Sequence, residues 1–492
     1  MIYEPVITRP LSLYEHFFRS RTASSFYRNF QLTATYSQDL DKDLGILFKA
    51  LRKAVLDYHI LVCNVFKDYD LEDSVFRPLQ KVALSDLLQF KDPKVYLNED
   101  GVINEKFMKE VTELQFPLYT ESPLFRLFLV GSNNLSVVFE HTIADGLVSN
   151  YFHEIFLESL AYVQKEQNDS NLLTEYGIQK SHISLESIVF DFNSDKKFIR
   201  NSLPPPPDIF LAAPEVDSCD GNPNHYSKVI PENYTKKWPG RNPLTKDYSL
   251  AFKLINFTPL ETKEILAKCK EEKVTLTAFI EVVHALTMKP VFGDSHYSSH
   301  RVAIALRRHY DHNLAEPEYK EILQRKGYKI LGCSAHLGFT ENFPPLTEFS
   351  WEIVRKINAN LIESSANKKV LDFLRPFKQV YSKVDDNVDF FESSMKSGVK
   401  SDAVKISNLG FINAPIFKID GKDPLTITNM VFSQDVSPNT CEFMLNIIST
   451  PLGGLNFVET YMDHTFDDFE SDNFDQLIAN LRTNVLKYSG RL

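Results

Sequence analysis

The sequence predicts a mixed α/β (α+β) protein built as two lobes, and three observations carry that prediction. Strand-like and helix-like runs alternate in both halves of the 492-residue chain. Neither a G-x-G-x-x-G nor a G-x-x-x-x-G-K-[ST] sequence occurs, which argues against a nucleotide-binding parallel sheet. The prolines of Leu203-Pro204-Pro205-Pro206-Pro207-Asp208 favour an extended segment and forbid a helix or sheet interior there, dividing the chain near its middle. The expected organisation is an N-terminal lobe over 1–200, a polar, proline-rich surface crossover over 201–248 and a C-terminal lobe over 249–492.

In the first half, Arg126-Leu127-Phe128-Leu129-Val130 and Leu135-Ser136-Val137-Val138-Phe139-Glu140 flank the turn residues Gly131-Ser132-Asn133-Asn134, the pattern of a β-hairpin. The second strand runs into His141-Thr142-Ile143-Ala144-Asp145-Gly146. Beyond it Val148, Tyr151, Phe152, Ile155, Phe156, Leu160 and Val163 recur at helical spacing, so the chain turns at Asp145-Gly146 and enters a helix with one apolar face. Gly146 suits that turn because glycine tolerates positive φ and lets another backbone come close.

The second half opens with a strand at Leu250-Ala251-Phe252-Lys253-Leu254-Ile255. Thr258-Pro259-Leu260-Glu261 then combines a capping box with proline at the first helical position. That helix runs through Leu266 and ends before Val274. Thr275 starts another, with Leu276, Phe279, Ile280, Val283 and Leu286 on one face. The acid-rich stretch 465–472 reads as a solvated lead-in to a last amphipathic helix bearing Phe474, Leu477, Ile478, Leu481, Val485 and Leu486. Its apolar face is expected to pack on the lobe, with peripheral membrane or lipid-droplet contact as the alternative.

Hydrophobic residues make up 43% of the chain, enough for a large core. A formal charge of −11 disfavours nucleic acid as a partner, since phosphate binding needs a basic face. Cys63, Cys219, Cys269, Cys333 and Cys441 are scattered and never form C-x-x-C, so neither a disulfide framework nor a metal site is expected. No apolar run approaches the ~18 residues of a spanning helix, and the start of the chain lacks a secretory pattern. A cytoplasmic monomer is the expectation, with the periphery of the endoplasmic reticulum or lipid droplets as the alternative address.

The motif at 141–146 carries the chemistry. Imidazole has the side-chain pKa nearest neutrality, so His141 at a strand end can take a proton from a hydroxyl or amine and return it to a leaving thiolate. An acceptor deprotonated in this way attacks a thioester directly, with no covalent enzyme intermediate. Asp145, past the turn, is better placed to hold the loop by pairing with a cation than to touch the same substrate. Arg301, Arg307 and Arg308 end a strand where a carboxylate partner would be welcome. Ser407 and Asn408, in Ile406-Ser407-Asn408-Leu409-Gly410-Phe411, can donate hydrogen bonds to a developing oxyanion. His284 and His336 read as core or wall residues, and Tyr27 and Arg28 as anchors of an N-terminal strand, with a place in the wall of the site as the alternative.

These residues resemble the superfamily of CoA-dependent acyltransferases with an H-x-x-x-D-G motif, which includes chloramphenicol acetyltransferase, the plant BAHD enzymes and peptide-synthetase condensation domains. More narrowly, the chain resembles the fungal alcohol O-acetyltransferase family. That likeness rests on Leu11-Ser12-Leu13-Tyr14-Glu15, Ser25-Phe26-Tyr27-Arg28-Asn29-Phe30, Val302-Ala303-Ile304-Ala305-Leu306-Arg307-Arg308, Ser334-Ala335-His336-Leu337-Gly338-Phe339 and the S-N-x-G run ending at Gly410. The resemblance implies two chloramphenicol-acetyltransferase-like lobes with an interlobe tunnel, reached by acetyl-CoA from one mouth and by an alcohol from the other. It implies His141 as general base and Asp145 as its structural partner, with Gly146 in the turn. Arg308 is expected to brace Asp145, with Arg307 in reserve, while Ser407, Asn408 and Gly410 stand at the tunnel wall. The expected activity is O-acetylation of an alcohol, the alternatives being N-acetylation of a sphingoid base or related long-chain amino alcohol or toxin, and a catalytically idle binding protein. The acceptor arm is expected to be aromatic and aliphatic, fitting a non-ionic substrate.

Overall fold

Strand Asn134–Phe139 pairs antiparallel with Phe125–Val130 across the predicted turn, and with Phe30–Tyr36 on its other side. The computed structural model describes residues 5–71, 73–166, 169–178, 182–210, 230–241, 244–317, 319, 332, 335–366, 395–396, 398, 400–463, 465–466 and 471–491. Two main sheets dominate the described residues. The first has five strands in the order Ile427–Gln434, Phe30–Tyr36, Asn134–Phe139, Phe125–Val130, Leu88–Lys91. The second has six, in the order Leu250–Phe257, Gly454–Met462, Phe443–Thr450, Val404–Phe411, Ser298–Ala305, Ala335–Phe343. Both are mixed: Leu88–Lys91 runs parallel to its neighbour, and Val404–Phe411 runs parallel to the strands on both of its sides.

The helix predicted after the motif spans Gly146–Lys165, with Asp145 as its N-cap accepting from the backbone of Val148. It packs on the helix Leu44–Asp57, and the side chains of Phe152, Phe156 and Leu160 are buried against the first sheet. In the second half the capping box forms as read. Thr258 and Glu261 satisfy each other's backbone amides with Pro259 at the first turn of the helix Pro259–Glu271. Thr275 caps the helix Leu276–Thr287. All six apolar residues named for the last helix, Ser471–Tyr488, are buried in the second core, so its apolar face is spent on packing. Among the described residues no helix is long and apolar enough to cross a membrane.

Three expectations fail for tertiary reasons. The expected C-terminal lobe over 249–492 surrenders one strand: Ile427–Gln434 pairs with Phe30–Tyr36 and completes the first sheet. The crossover is not wholly at the surface. Leu203 is buried with its amide bonded to Val6, Arg9 donates to the Pro204 carbonyl, and Trp238 inserts between Phe292 and Phe443. The start of the acidic lead-in is buried too, since Phe466 stacks on Phe474 at 3.7 Å; residues 467–470 lie outside the described residues. The side chain of His336 also lies outside them, as do Cys219 and Cys333.

Candidate active site

His141 leaves the end of its strand directly into a cavity between the two sheets. One side of the cavity is the helix Leu13–Ala23, which contributes Tyr14, Phe17, Phe18 and Arg21, followed by Tyr27 and Phe30. The other is the second sheet, through Arg301, Ala303, Lys405 and Ser407, together with Gln434 and Asp435 at the end of the exchanged strand. Ser12 and Glu15 form the capping box that starts that helix, and Arg9 pairs with Glu15 at 2.8 Å, fixing its N-terminal end.

The imidazole is held on three sides by rings. Phe18 stacks on it at 3.9 Å between centroids and 4° between planes, while Phe30 at 5.0 Å and Tyr27 at 5.3 Å stand tilted and edge-on. Burial, reinforced by the charge of Arg21, holds His141 well below the ordinary histidine range, against hydrogen bonding to the backbone of His141 and Ala144. At neutral pH the ring is therefore uncharged. A neutral imidazole carries the lone pair a base needs.

The loop around the base is tied down by two carboxylates. Asp145 meets Arg307 at 2.6 Å, and Arg307 also donates to the carbonyl of Gly332. Arg308, the arginine favoured from sequence, instead points to an exposed contact with Ser365 at 3.5 Å. The strand ends at Ala305 and the chain enters a 3-10 turn over Leu306–His309, which rotates Arg307 rather than Arg308 toward the motif. Glu140, adjacent to the base, is fully buried and accepts from Thr22 at 2.6 Å and from the amide and hydroxyl of Thr142 at 2.7 and 3.0 Å. It ties the end of helix Leu13–Ala23 to the motif. The sequence reading passed over Glu140, although a carboxylate closing a buried apolar strand is a usable signal, because it has to be paired.

Gly146 is required for a reason other than the one expected. It is absent from the positive-φ positions, and what approaches it is a side chain: a Cβ there would lie 2.7 Å from Leu409 Cδ2 and 3.3 Å from Phe432 Cζ. Along Val404–Phe411 the side chains alternate, so Ser407 faces the cavity. Asn408 does not. It bonds Thr277 on the opposite face at 3.1 Å and accepts from the amide of Gly410, whose φ of 90° lets the strand turn. His284 lies in the second core, 3.2 Å from Glu459, as a core histidine.

Tyr27 lines the cavity, the alternative to the anchoring role favoured from sequence, whereas Arg28 does anchor, through its amide to Asp435 and its guanidinium to the Tyr248 carbonyl. Tyr14, Phe17, Phe18 and Arg21 follow i, i+3, i+4, i+7 spacing, which by itself says only that one helix face is covered. Charged side chains share the cavity with these rings, since Arg21, Arg301, Lys405 and Asp435 line it too. Its volume is about 90 Å³, below the roughly 300–1,000 Å³ of typical ligand pockets. Among the described residues no group of three or more His, Cys, Asp or Glu side chains is arranged to hold a metal ion.

The profile of the alcohol acetyltransferase family matches residues 12–485, almost the whole chain. The chain belongs to the alcohol acetyltransferase family. It is also similar to the N-acetyltransferase SLI1 of Saccharomyces cerevisiae, with 22% identity over 459 residues covering 84% of this chain and 87% of that protein. Among solved structures, the trichothecene 15-O-acetyltransferase TRI3 from Fusarium sporotrichioides is similar at a TM-score of 0.63 and 12% identity, covering 99% of this chain and 96% of that one. The first condensation domain of the CDA synthetase gives 0.58 and 11%, covering 98% and 96%. At these identities the structural likeness establishes the fold alone, and that fold is the two-lobed one expected. Family membership makes this acetyltransferase an enzyme of acyl transfer.

Proposed function

We propose that the protein transfers an acetyl group from acetyl-CoA to the hydroxyl of a small-molecule alcohol, with His141 as general base. The observation that carries the reading is a neutral imidazole lining a cavity to which both sheets contribute. His141 takes the hydroxyl proton as the oxygen attacks the thioester carbonyl. The C–S bond then breaks, and the imidazolium returns its proton to the departing thiolate of CoA. Ser407, facing the same cavity, is the donor available to the oxyanion formed between these steps, an effect commonly worth about 3 kcal/mol. Asp145 and Arg307 hold the loop and take no part in proton transfer.

The choice of a hydroxyl over an amine is supported by charge. An amine arrives largely protonated and meets Arg21 and Lys405 in a cavity of low dielectric, whereas an alcohol carries no charge to be repelled. The similarity to an N-acetyltransferase over most of both chains favours the second reading, in which a long-chain amino alcohol is acetylated on nitrogen. Acetyl-CoA with a panel of short alcohols, sterols and sphingoid bases, read by CoA release and by mass spectrometry of the product, tests both. Ester formation supports the first reading and amide formation the second. Absence of any acceptor-dependent CoA release would overturn acetyl transfer altogether.

A further inference from the structure

Lys405 stands in the His141 cavity with no partner for its charge. Its residue is 8% exposed, and among the described residues it makes no hydrogen bond or ion pair. None of the nearby carboxylates forms an ion pair with it. Asp402 Oδ2 is taken by Arg301 at 2.9 Å and by the hydroxyl of Ser401, and its buried Oδ1 acts on Lys405 only at longer range, with no hydrogen bond between them. Glu442 is taken by Lys400 at 3.1 Å. Asp435 accepts from the amides of Arg28 and Val436 and from the Tyr248 hydroxyl. Arg301 is the cross-strand neighbour of Lys405.

A buried, unpaired ammonium is costly unless something in the functional state answers it. Burial pulls Lys405 below the ordinary lysine range; Cys441 and Asp402 oppose that shift, and Arg301 and Arg21 add to it. Lys405 and Ser407 point from one strand face into a space of about 90 Å³ that His141 also lines, so one small molecule can span base and ammonium. The one positive charge of Lys405 matches a singly charged anionic group.

We propose that Lys405 is a specificity-determining residue that binds a carboxylate carried by the acceptor, which makes the preferred acceptor an acid-bearing alcohol. The inference rests on the acyl-transfer reading of the cavity and narrows its substrate class. The carboxylate pairs with Lys405 while the hydroxyl on the same molecule reaches His141.

The test compares ω-hydroxycarboxylates of three to six carbons with n-alkanols of equal length, on wild type, Lys405→Met and Lys405→Arg. At least one acid should exceed its alcohol in kcat/KM for wild type. Lys405→Met should lower that acid-to-alcohol ratio by about 10- to 100-fold, as expected for loss of a charge-assisted bond, with the change in KM rather than kcat. Lys405→Arg should restore most of it. A second readout needs no turnover: the same acids, and not the alcohols, should raise the melting temperature of wild type more than that of Lys405→Met. The proposal is overturned if wild type neither prefers nor is stabilised by any of the acids, or if Lys405→Met lowers kcat alike for all acceptors and leaves the ratio unchanged. Acid-dependent stabilisation without CoA release would leave the binding proposal standing and remove the acetyl-transfer reading instead.

Discussion

Arg307 and Asp145 lie 162 positions apart in sequence and 2.6 Å apart in space, and their ion pair locks the turn that presents His141. Asp145 is also the N-cap of helix Gly146–Lys165, so a single carboxylate fixes both the helix start and its link to the second sheet. Asp145→Asn keeps a good cap and removes only the charge. It should cost about 3–5 kcal/mol in urea unfolding, as should Arg307→Met, because each strands its buried partner. The double variant should cost less than the sum. Arg308→Met should stay within about 0.5 kcal/mol of wild type, and a loss as large as that of Arg307→Met would refute the assignment.

Replacing His141 by Ala should lower kcat by roughly 10²–10⁴-fold while leaving circular dichroism and the unfolding midpoint close to wild type. The imidazole contributes ring contacts but no strand pairing. Wild-type CoA release by the purified variant would remove His141 from the reaction.

Burial and Arg21 both disfavour imidazolium, so the acid limb of the kcat/KM profile should fall below the ordinary histidine value of 6.5. Arg21→Met deletes a neighbouring positive charge. The histidine pKa must then rise, and the neutral base is lost at higher pH. The measurement is the pH profile of the two proteins, and an unmoved or downward-shifted limb in the variant would contradict the electrostatic account.

Gly146→Ala introduces a methyl group into the path of Leu409 and Phe432. Alanine is the better helix former, so propensity alone predicts a gain. The steric conflict should reverse the sign, at a cost of about 1–3 kcal/mol. Adding Leu409→Ala should recover part of that cost relative to Leu409→Ala alone.

His153 bridges Tyr36 and the carbonyl of Leu32, and burial holds its pKa at about 4. Unfolded, it titrates near 6.5. As pH falls below 6.5 the unfolded chain gains a proton that the folded chain refuses, so stability is complete above 6.5 and declines toward about 4. At pH 5 this one group should account for about 2 kcal/mol. Urea titrations at pH 7 and 5 should show a smaller difference for His153→Gln than for wild type, by that amount.

What the sequence determined by itself is local. The hairpin before His141, the capping box at Thr258–Glu261 and the helical faces after Gly146 and Thr275 depend on side chains within a few positions of each other, so spacing and residue type suffice to find them. The motif residues were legible for the same reason. What the tertiary structure decided is long-range: that Ile427–Gln434 leaves its own half to complete the first sheet, that a 3-10 turn aims Arg307 rather than Arg308 at Asp145, and that strand alternation sends Lys405 and Ser407 toward the base and Asn408 away from it. Rotation by one residue about a strand or turn reverses a side chain's direction without altering the composition or pattern around it. The charge inside the cavity was hidden from the sequence for that reason, since Arg21 and Lys405 are 384 positions apart and only the folded chain brings them to one imidazole.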